Sequence, residues 1–493
     1  MKASPLNFPA FLRFDVKWLE IGVLLISIET AKMPITDFSS DDGHFILALQ
    51  VRSSSYMEFI KPRLYSGLRD RLPEQMNYRG FVVSKLQALF EKYGFEPLET
   101  PAMEFYDILT GKYGEEAENL IYRLDYKDGK TLALRYDLTV PLSRVIAMNA
   151  ELVRPIFKRY QIQQVWRGER PQRGRYREFT QCDIDAIGST SMLQDAEIIA
   201  AIYEMMIGFG FHQFEILINN RKILDGMVKY AEVGDRLKEV CRSIDKLEKI
   251  GAEKVRQELA KSDISARAIK KIFSVIEIEG HHETVLDELE KIIGDVAQEG
   301  IGELREVRSY LSELGINEGC YRFDPALARG LDYYTGPVFE VVIKDAGIGS
   351  VVGGGRWDTL IGQYTGKHVP AVGTSFGLER LIDSMEKLHL LPQIMTKTQV
   401  LVVPFNTELI PQSLRFLAEL RSAGINSEIY GEPKSFRQTF GYASRKGIPL
   451  ALVVAPDELS NGQLAIRNME TREQVVCSVD RFVDRIQAIL PEL

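Results

Sequence analysis

The 493-residue sequence predicts an α+β protein, in which a domain with an antiparallel sheet is interrupted by a helical insertion and followed by a C-terminal α/β domain. Three observations carry this. Short apolar runs bounded by polar turns recur around Leu132, at Ile156 to Val165, at Glu178 to Ile187 and at Val338 to Ile343, which is the texture of strands. Between the third and fourth of these, residues 222–318 are rich in Lys and Glu. Apolar stripes such as Ile269, Ile272, Phe273 and Ile276 fall there at helical spacing. From Gln399 the pattern changes to VLVVPF, a helical segment to Ala423, SEIY, a basic helical segment to Lys446 and PLALVVA, alternating as an α/β unit with a mostly parallel sheet does.

Taken in order, residues 1–56 lack sustained periodicity and contain the polar stretch Thr36 to His44, which predicts an extension outside the folded body. From Gly80, FVVSKLQALFEKYGF has helical spacing, and Gly94 ends that helix before the extended PLETPAMEF. The strand-like runs then place an antiparallel core in residues 57–221, resumed at 319–395 once the helices of 222–318 are passed. Gly353 to Gly355 and an amphipathic helix through Leu378, Leu381 and Ile382 close that core, and residues 396–493 form the last domain.

Composition narrows the class. Hydrophobic residues make up 45% and charged residues 26%, the balance of a folded soluble protein rather than a disordered or collagenous one. A net charge of −8 argues against a surface that binds nucleic acid everywhere, although local basic patches remain open. The longest apolar stretch, Ile21 to Ile28, is too short to span a membrane, and Asp15, Lys17 and Glu20 interrupt any signal-peptide core. Four cysteines with no CxxC pair predict neither a disulfide framework nor a cysteine zinc site. The six histidines show no metal-ligand spacing, so no metal site is assigned and zinc is not expected. These features favour a cytoplasmic protein.

Chemistry concentrates in Arg154 to Arg177, with eight basic residues and one acidic one, whose middle WRGERPQRGRYREF reads as strand, loop and strand. Arginines on strands can fork onto phosphate oxygens in fixed geometry, whereas those on the loop suit a nucleic-acid backbone. A solvated basic hairpin is the plainer alternative. The triple glycine at 353–355 permits close approach of a ligand to the backbone, and a simple turn is the alternative there.

The ordered stretches WRGERPQRGRYREFTQCDID, ARGLDYYTGPVFE, VVGGGRWD and AVGTSFGLERL resemble the histidyl-tRNA synthetases, which are class II aminoacyl-tRNA synthetases, over roughly Pro62 to Gln474. The looser GFVVSKLQALFEKYGFEPLETP resembles the family's dimerisation motif and implies a homodimer. The resemblance implies activation of L-histidine with ATP and Mg2+, then transfer of histidine to histidine tRNA. It implies that Arg167 and Arg329 grip the α-phosphate and act as catalytic residues, with Arg167 and Arg329 also meeting the histidine. Glu169 stands near the adenine, Arg380 on the γ-phosphate, and Gly353, Gly354 and Gly355 against the nucleotide. Two anions must meet in this reaction, so positive charge and positioning are the tools it needs.

For the amino acid, the resemblance implies Asp137, Thr139 and Gln181 around the α-amino group, and Asp185 with Tyr333 and Tyr334 around the imidazole. Many members carry glutamate at Asp137 and Asp185, so each acid here is one methylene shorter. For tRNA, Gln172, Arg173 and Arg175 fall where the family meets the acceptor end, and the bacterial form of the loop, RPQRG, implies a cytosine discriminator base. Lys434, Arg437, Arg445 and Lys446, interleaved with Phe436, Phe440 and Tyr442, suit an anticodon loop, unless those aromatics pack on their own sheet. A silent regulatory subunit of ATP phosphoribosyltransferase is the alternative from the same family, and the intact motifs and C-terminal unit speak against it.

Overall fold

The computed structural model describes residues 14–18, 24–28, 60–110, 118–125, 129–172, 174–328, 333–392, 395–431 and 435–490. The chain divides into two compact units, Met1–Pro62 and Arg63–Leu493. In the first, β1 (Phe14–Trp18) and β2 (Leu24–Ile28) pair antiparallel.

The second unit is built on an eight-stranded sheet. Its strands are β3 (Glu96–Pro97), β7 (Phe157–Trp166), β8 (Glu178–Ile187), β9 (Phe214–Asn220), β10 (Tyr321–Phe323), β11 (Pro337–Ile343), β12 (Val352–Arg356) and β13 (Ala371–Gly377). The spatial order is β10-β9-β11-β12-β13-β8-β7-β3, with every pairing from β7 to β9 antiparallel and only the short outer strands β3 and β10 parallel to their neighbours. A separate three-stranded sheet holds β4 (Met103–Phe105), β5 (Arg123–Asp125) and β6 (Thr131–Leu134).

The helix Pro73–Lys92 begins seven residues before the predicted Gly80. Pro73 stands at its first turn, where a missing N–H costs nothing, and Gln75 caps the Leu72 amide at 3.1 Å. Gly94, at φ +76°, turns the chain out. This helix buries Val82, Leu86 and Phe90 on the back of the sheet, with the Phe90 ring 5.5 Å from Phe376 and 5.7 Å from Tyr160. Each such side chain contributes about 1.5–3 kcal/mol by leaving water.

Residues 221–313 form a run of helices joined by short turns, ending in the long helix His282–Glu313. Their buried residues, among them Leu224, Ile272, Ile293 and Leu304, join the sheet's back face in one apolar cluster. In the C-terminal region, β14 (Val400–Pro404), β15 (Ser427–Ile429), β16 (Leu450–Val454), β17 (Gln463–Asn468) and β18 (Gln474–Ser478) form a five-stranded sheet in the order β15-β14-β16-β17-β18. The sheet is mixed rather than mostly parallel: two pairings are parallel and two antiparallel, because the short helix Pro456–Ser460 returns the chain to β17 beside β16 and β18 then follows β17 directly.

Candidate active site

Alternation along the strands sorts residues onto two faces. Cys182, Ile184, Val352, Phe339 and Phe376 face the helices. The other face is set by three cross-strand rows. Arg159 on β7 pairs with Asp185 on β8, then Gly373 on β13, Gly355 on β12 and Val338 on β11. The next row runs Gln161, Asp183, Ser375, Gly353 and Glu340. The third begins Gln163, Gln181 and Gly377. Glycines thus floor the centre, with polar side chains on either side.

The triple glycine is a strand, and its members differ. A Cβ on Gly355 would stand 2.9 Å from Tyr334 Cδ1, so its absence makes room for that tyrosine on the floor. Gly354 faces the other way: its Cβ would meet Phe339 at 2.6 Å, inside the core. Gly373 admits Asp185, whose Oδ1 would lie 1.9 Å from a Cβ there. Tyr333 and Tyr334 are buried with ring centroids 4.9 Å apart, in the cluster that holds Trp357 and Tyr136.

Acids crowd this end of the floor. Asp137, Asp183 and Asp185 are buried, and two buried guanidiniums lie near them: Arg159, with Nη2 2.7 Å from Asp185 Oδ2, and Arg135, which donates to Gln163 Oε1 at 2.9 Å and interacts electrostatically with Asp183. Burial pushes the Asp183 carboxyl up to about 7, opposed by Arg159 and reinforced by Asp185 and Asp137. Asp185 rises for the same first reason, opposed by Arg159 and by a hydrogen bond from Trp357. Asp137 Oδ1 accepts the Val140 amide at 3.0 Å, fixing the acid at the start of the helix Thr139–Met148. Gln181 Nε2 donates to Ser375 Oγ at 2.8 Å. Three buried acids against two buried guanidiniums leave this end with acid in excess, which suits a further positive charge.

Arginines crowd the other end. Arg167, on the loop after β7, donates from Nε to the Tyr136 carbonyl at 3.1 Å and lies over the Tyr136 and Phe179 rings at 4.4 and 5.0 Å. Arg380 opens the helix Leu378–Lys387; its Nε and Nη1 donate to the carbonyls of Gly174 and Ser350 at 2.9 and 2.6 Å. Burial, then the nearby Arg175 and Arg167, lower the Arg380 pKa, while Glu169 and Glu340 raise it. Neighbouring Glu379 is buried and accepts from Arg71 at 3.0 Å, Arg79 at 2.8 Å and the Thr180 amide at 2.9 Å, which ties this helix to β8. Like charges gathered at one place favour an anion between them.

The loop between β7 and β8 closes on reciprocal backbone bonds between Gln172 and Arg175, at 3.1 and 2.9 Å, with Gly174 at φ +72°. Gln172 and Arg175 are exposed, and Arg175 lies 3.4 Å from Glu169. Arg173, Arg329 and Lys434 lie outside the described residues. In the C-terminal domain, Arg437 and Arg445 are exposed, while Lys446 is ion-paired to Glu428. Phe436, Phe440 and Tyr442 pack on their own domain, Tyr442 donating to Glu428 at 2.8 Å.

Sequence reading overlooked Arg159, Asp183 and Glu379. The alternation in QCDID was the available signal for Asp183; nothing local distinguishes buried Arg159 from its exposed neighbours. It also overlooked Glu318, which folding brings beside His281 and His282, the one group among the described residues with metal-ligand spacing. It lies away from the floor, with Glu318 3.3 Å from Arg308. No helix among the described residues is long and apolar enough to cross a membrane.

An antiparallel sheet floored by glycine, with a strand–loop–strand arginine and a second arginine on the helix after the last strand, defines a class II aminoacyl-tRNA synthetase. The chain belongs to the histidyl-tRNA synthetase family, whose model matches residues 67–381, and an anticodon binding domain model matches 399–489. It is 45% identical over 443 residues to a histidine–tRNA ligase of Gloeobacter violaceus, covering 83% of this chain and 94% of that protein. A histidine–tRNA ligase of Wolinella succinogenes is 40% identical over 425 residues, covering 85% and 96%. The crystal structure of histidyl-tRNA synthetase from Nostoc sp. PCC 7120 superposes with a TM-score of 0.79 at 33% identity, covering 88% of this chain and all of that one. A Bacillus halodurans structure titled as an ATP phosphoribosyltransferase regulatory subunit/histidyl-tRNA synthetase shares the fold, with a TM-score of 0.64 at 19% identity.

Proposed function

We propose that the protein is a histidine–tRNA ligase that joins L-histidine to ATP, releases pyrophosphate, and transfers histidine to the 3′ end of histidine tRNA. The observation that carries this is one floor with buried acids at one end and converging arginines at the other. An amino acid presents an ammonium and a carboxylate, and ATP presents a polyanion; this polarity lays them in line.

In this reading Arg167, together with Arg329, holds the α-phosphate and the histidine carboxylate, and their contribution grows as charge concentrates at phosphorus. Arg380 receives the γ-phosphate, Glu169 lies by the adenine, and the floor glycines Gly353 and Gly355, with Gly354 between them, underlie the nucleotide. Asp137, Thr139 and Gln181 take the ammonium; Asp185, Tyr333 and Tyr334 surround the imidazole. The carboxylate of histidine is itself the nucleophile, so no protein base is needed. Magnesium would come with ATP; Glu340, on the floor and close enough to act on Arg380, has the oxygen donors it prefers.

Gln172, Arg173 and Arg175 would meet the acceptor end, and Lys434, Arg437, Arg445 and Lys446 the anticodon arm, with the exposed pair Arg437 and Arg445 the best supported. We further propose a cytoplasmic homodimer in which residues 1–56 are dispensable. The division at Pro62 and the family match from residue 67 support the latter. Sedimentation as a monomer at every concentration would refute the dimer, and loss of adenylation on starting at Met57 would refute dispensability.

Aminoacylation of a histidine tRNA transcript tests the whole reading. Charging with histidine, weakened when the cytosine discriminator is replaced, is the expected result; a folded protein that charges no tRNA would return the silent regulatory alternative.

A further inference from the structure

His281, His282 and Glu318 have no part in the reaction on the floor. His281 precedes and His282 opens the helix His282–Glu313, and Glu318 begins the 3-10 turn Glu318–Cys320 that leads into β10. In a straight helix Glu283 and Arg308 would stand about 37 Å apart, at about 1.5 Å per residue. They are ion-paired at 2.8 Å, and Asp287 meets Arg305 at 2.8 Å, so this helical segment doubles back and its two ends lie side by side. Glu318, on the turn that follows, is thereby returned to the start of the segment.

His282 is the one buried histidine among the described residues, at 6% exposure. Its Nε2 lies 2.9 Å from the Tyr321 carbonyl; a carbonyl only accepts, so Nε2 carries the proton and Nδ1 the lone pair. Nδ1 is buried with no hydrogen-bond partner among the described residues, a loss of about 1–3 kcal/mol that a bound cation would recover. The Tyr321 and Phe323 rings pack on the imidazole at 4.2 and 5.6 Å and hold it in place. His281 Nε2 lies 3.4 Å from Glu318 Oε2, while Arg308, itself paired with Glu283, takes Oε1 at 3.3 Å. The three residues offer ligand atoms that all lie within 4.8 Å of one another. A tetrahedral ion with bonds of about 2.0–2.1 Å needs them about 3.4 Å apart, a closure of the order of 1 Å that the exposed His281 and half-exposed Glu318 can make.

We propose that His282 Nδ1, His281 Nε2 and Glu318 Oε2 hold a zinc-class divalent cation, with water completing its coordination, and that the ion ties both ends of the helical segment to the outer strand β10. Two neutral imidazoles and one carboxylate suit a borderline transition-metal ion, whereas Mg2+ and Ca2+ take oxygen donors. The Tyr321 carbonyl is the outer partner that fixes the tautomer and aim of a metal-bound histidine. Spacing in the sequence does not announce the site, because its carboxylate comes from beyond the whole helical segment. The site is independent of the adenylation reading and stands if that reading falls.

The test is binding of Zn2+ alone to the full chain, read by competition with a chromophoric chelator. One ion binds per chain, and excess Mg2+ does not displace it. Glu318→Gln and His281→Ala change exposed side chains and leave the fold intact, yet each weakens binding by at least about tenfold, the least that losing an outer partner of a metal site costs. Zn2+ also raises the thermal unfolding midpoint of the unaltered chain and not that of Glu318→Gln, because an ion held only by the folded state stabilises it. His282→Ala abolishes binding; should it fail to fold, the other two variants decide. No stoichiometric Zn2+, displacement by Mg2+, or binding as tight as that of the unaltered chain in either Glu318→Gln or His281→Ala would overturn the proposal.

Discussion

The two faces of the eight-stranded sheet are made from the same strands and obey opposite rules. Along β8, Cys182 and Ile184 face an apolar cluster in which Phe376 and Phe90 touch, while Gln181, Asp183 and Asp185 face a floor of glycine. The back is filled and indifferent to charge. The front holds buried acids at one end and arginines at the other, an arrangement that is unfavourable until substrates supply the missing charges. One face holds the fold together, and the other stores the polarity the reaction needs.

That division can be broken from either side. Phe376→Ala empties the centre of the back and is expected to cost about 3 to 5 kcal/mol of stability, read by denaturant unfolding, with the KM for histidine unchanged in what remains folded. Arg167→Ala works from the front: adenylation falls about 100- to 1,000-fold in pyrophosphate exchange, with no loss of unfolding free energy beyond the ordinary surface range of about 0.5 kcal/mol. A large stability loss for Arg167→Ala, or a selective KM change for Phe376→Ala, would show that the faces are not independent.

Gly355→Ala sharpens the comparison, because the added methyl meets the Pro337 carbonyl at 2.7 Å and Tyr334 and Val338 at 2.9 Å, so strand β11 and the tyrosine on the floor must both shift. Its KM for histidine rises about tenfold or more, a site misplacement of the order of an ångström, while Gly349→Ala, which meets open space, changes nothing measurable. The smallest effect belongs to the distant domain. Replacing Arg437 and Arg445 with Ala weakens tRNA binding modestly and lowers the salt slope of log K by about one to two, without altering pyrophosphate exchange. An altered exchange rate would couple the two domains.

How far the sequence revealed these faces varies with the range of the interactions. The strand Glu178–Ile187 was legible to its ends, since alternation and the turns around it are local. The start of the first helix was not: PEQMNYRG carries no apolar stripe, and Pro73 marks a helical first turn only once the helix is there. Arg159 reads as one more positive charge in a basic run, yet it is fully buried against Asp185, a pairing set by the register of β7 on β8. The glycines were legible as permissive backbone, but which of them faces the substrate depends on strand pairing. Phe436 and Phe440 show the same limit, since a basic helix with aromatics has the same pattern whether those rings meet bases or, as here, each other at 5.5 Å.

The most direct test of the central claim is exchange of pyrophosphate into ATP without tRNA, run with each of the twenty amino acids in turn. A front face polarised for histidine predicts exchange with histidine alone. Exchange with another amino acid, or none from a folded protein, would contradict it.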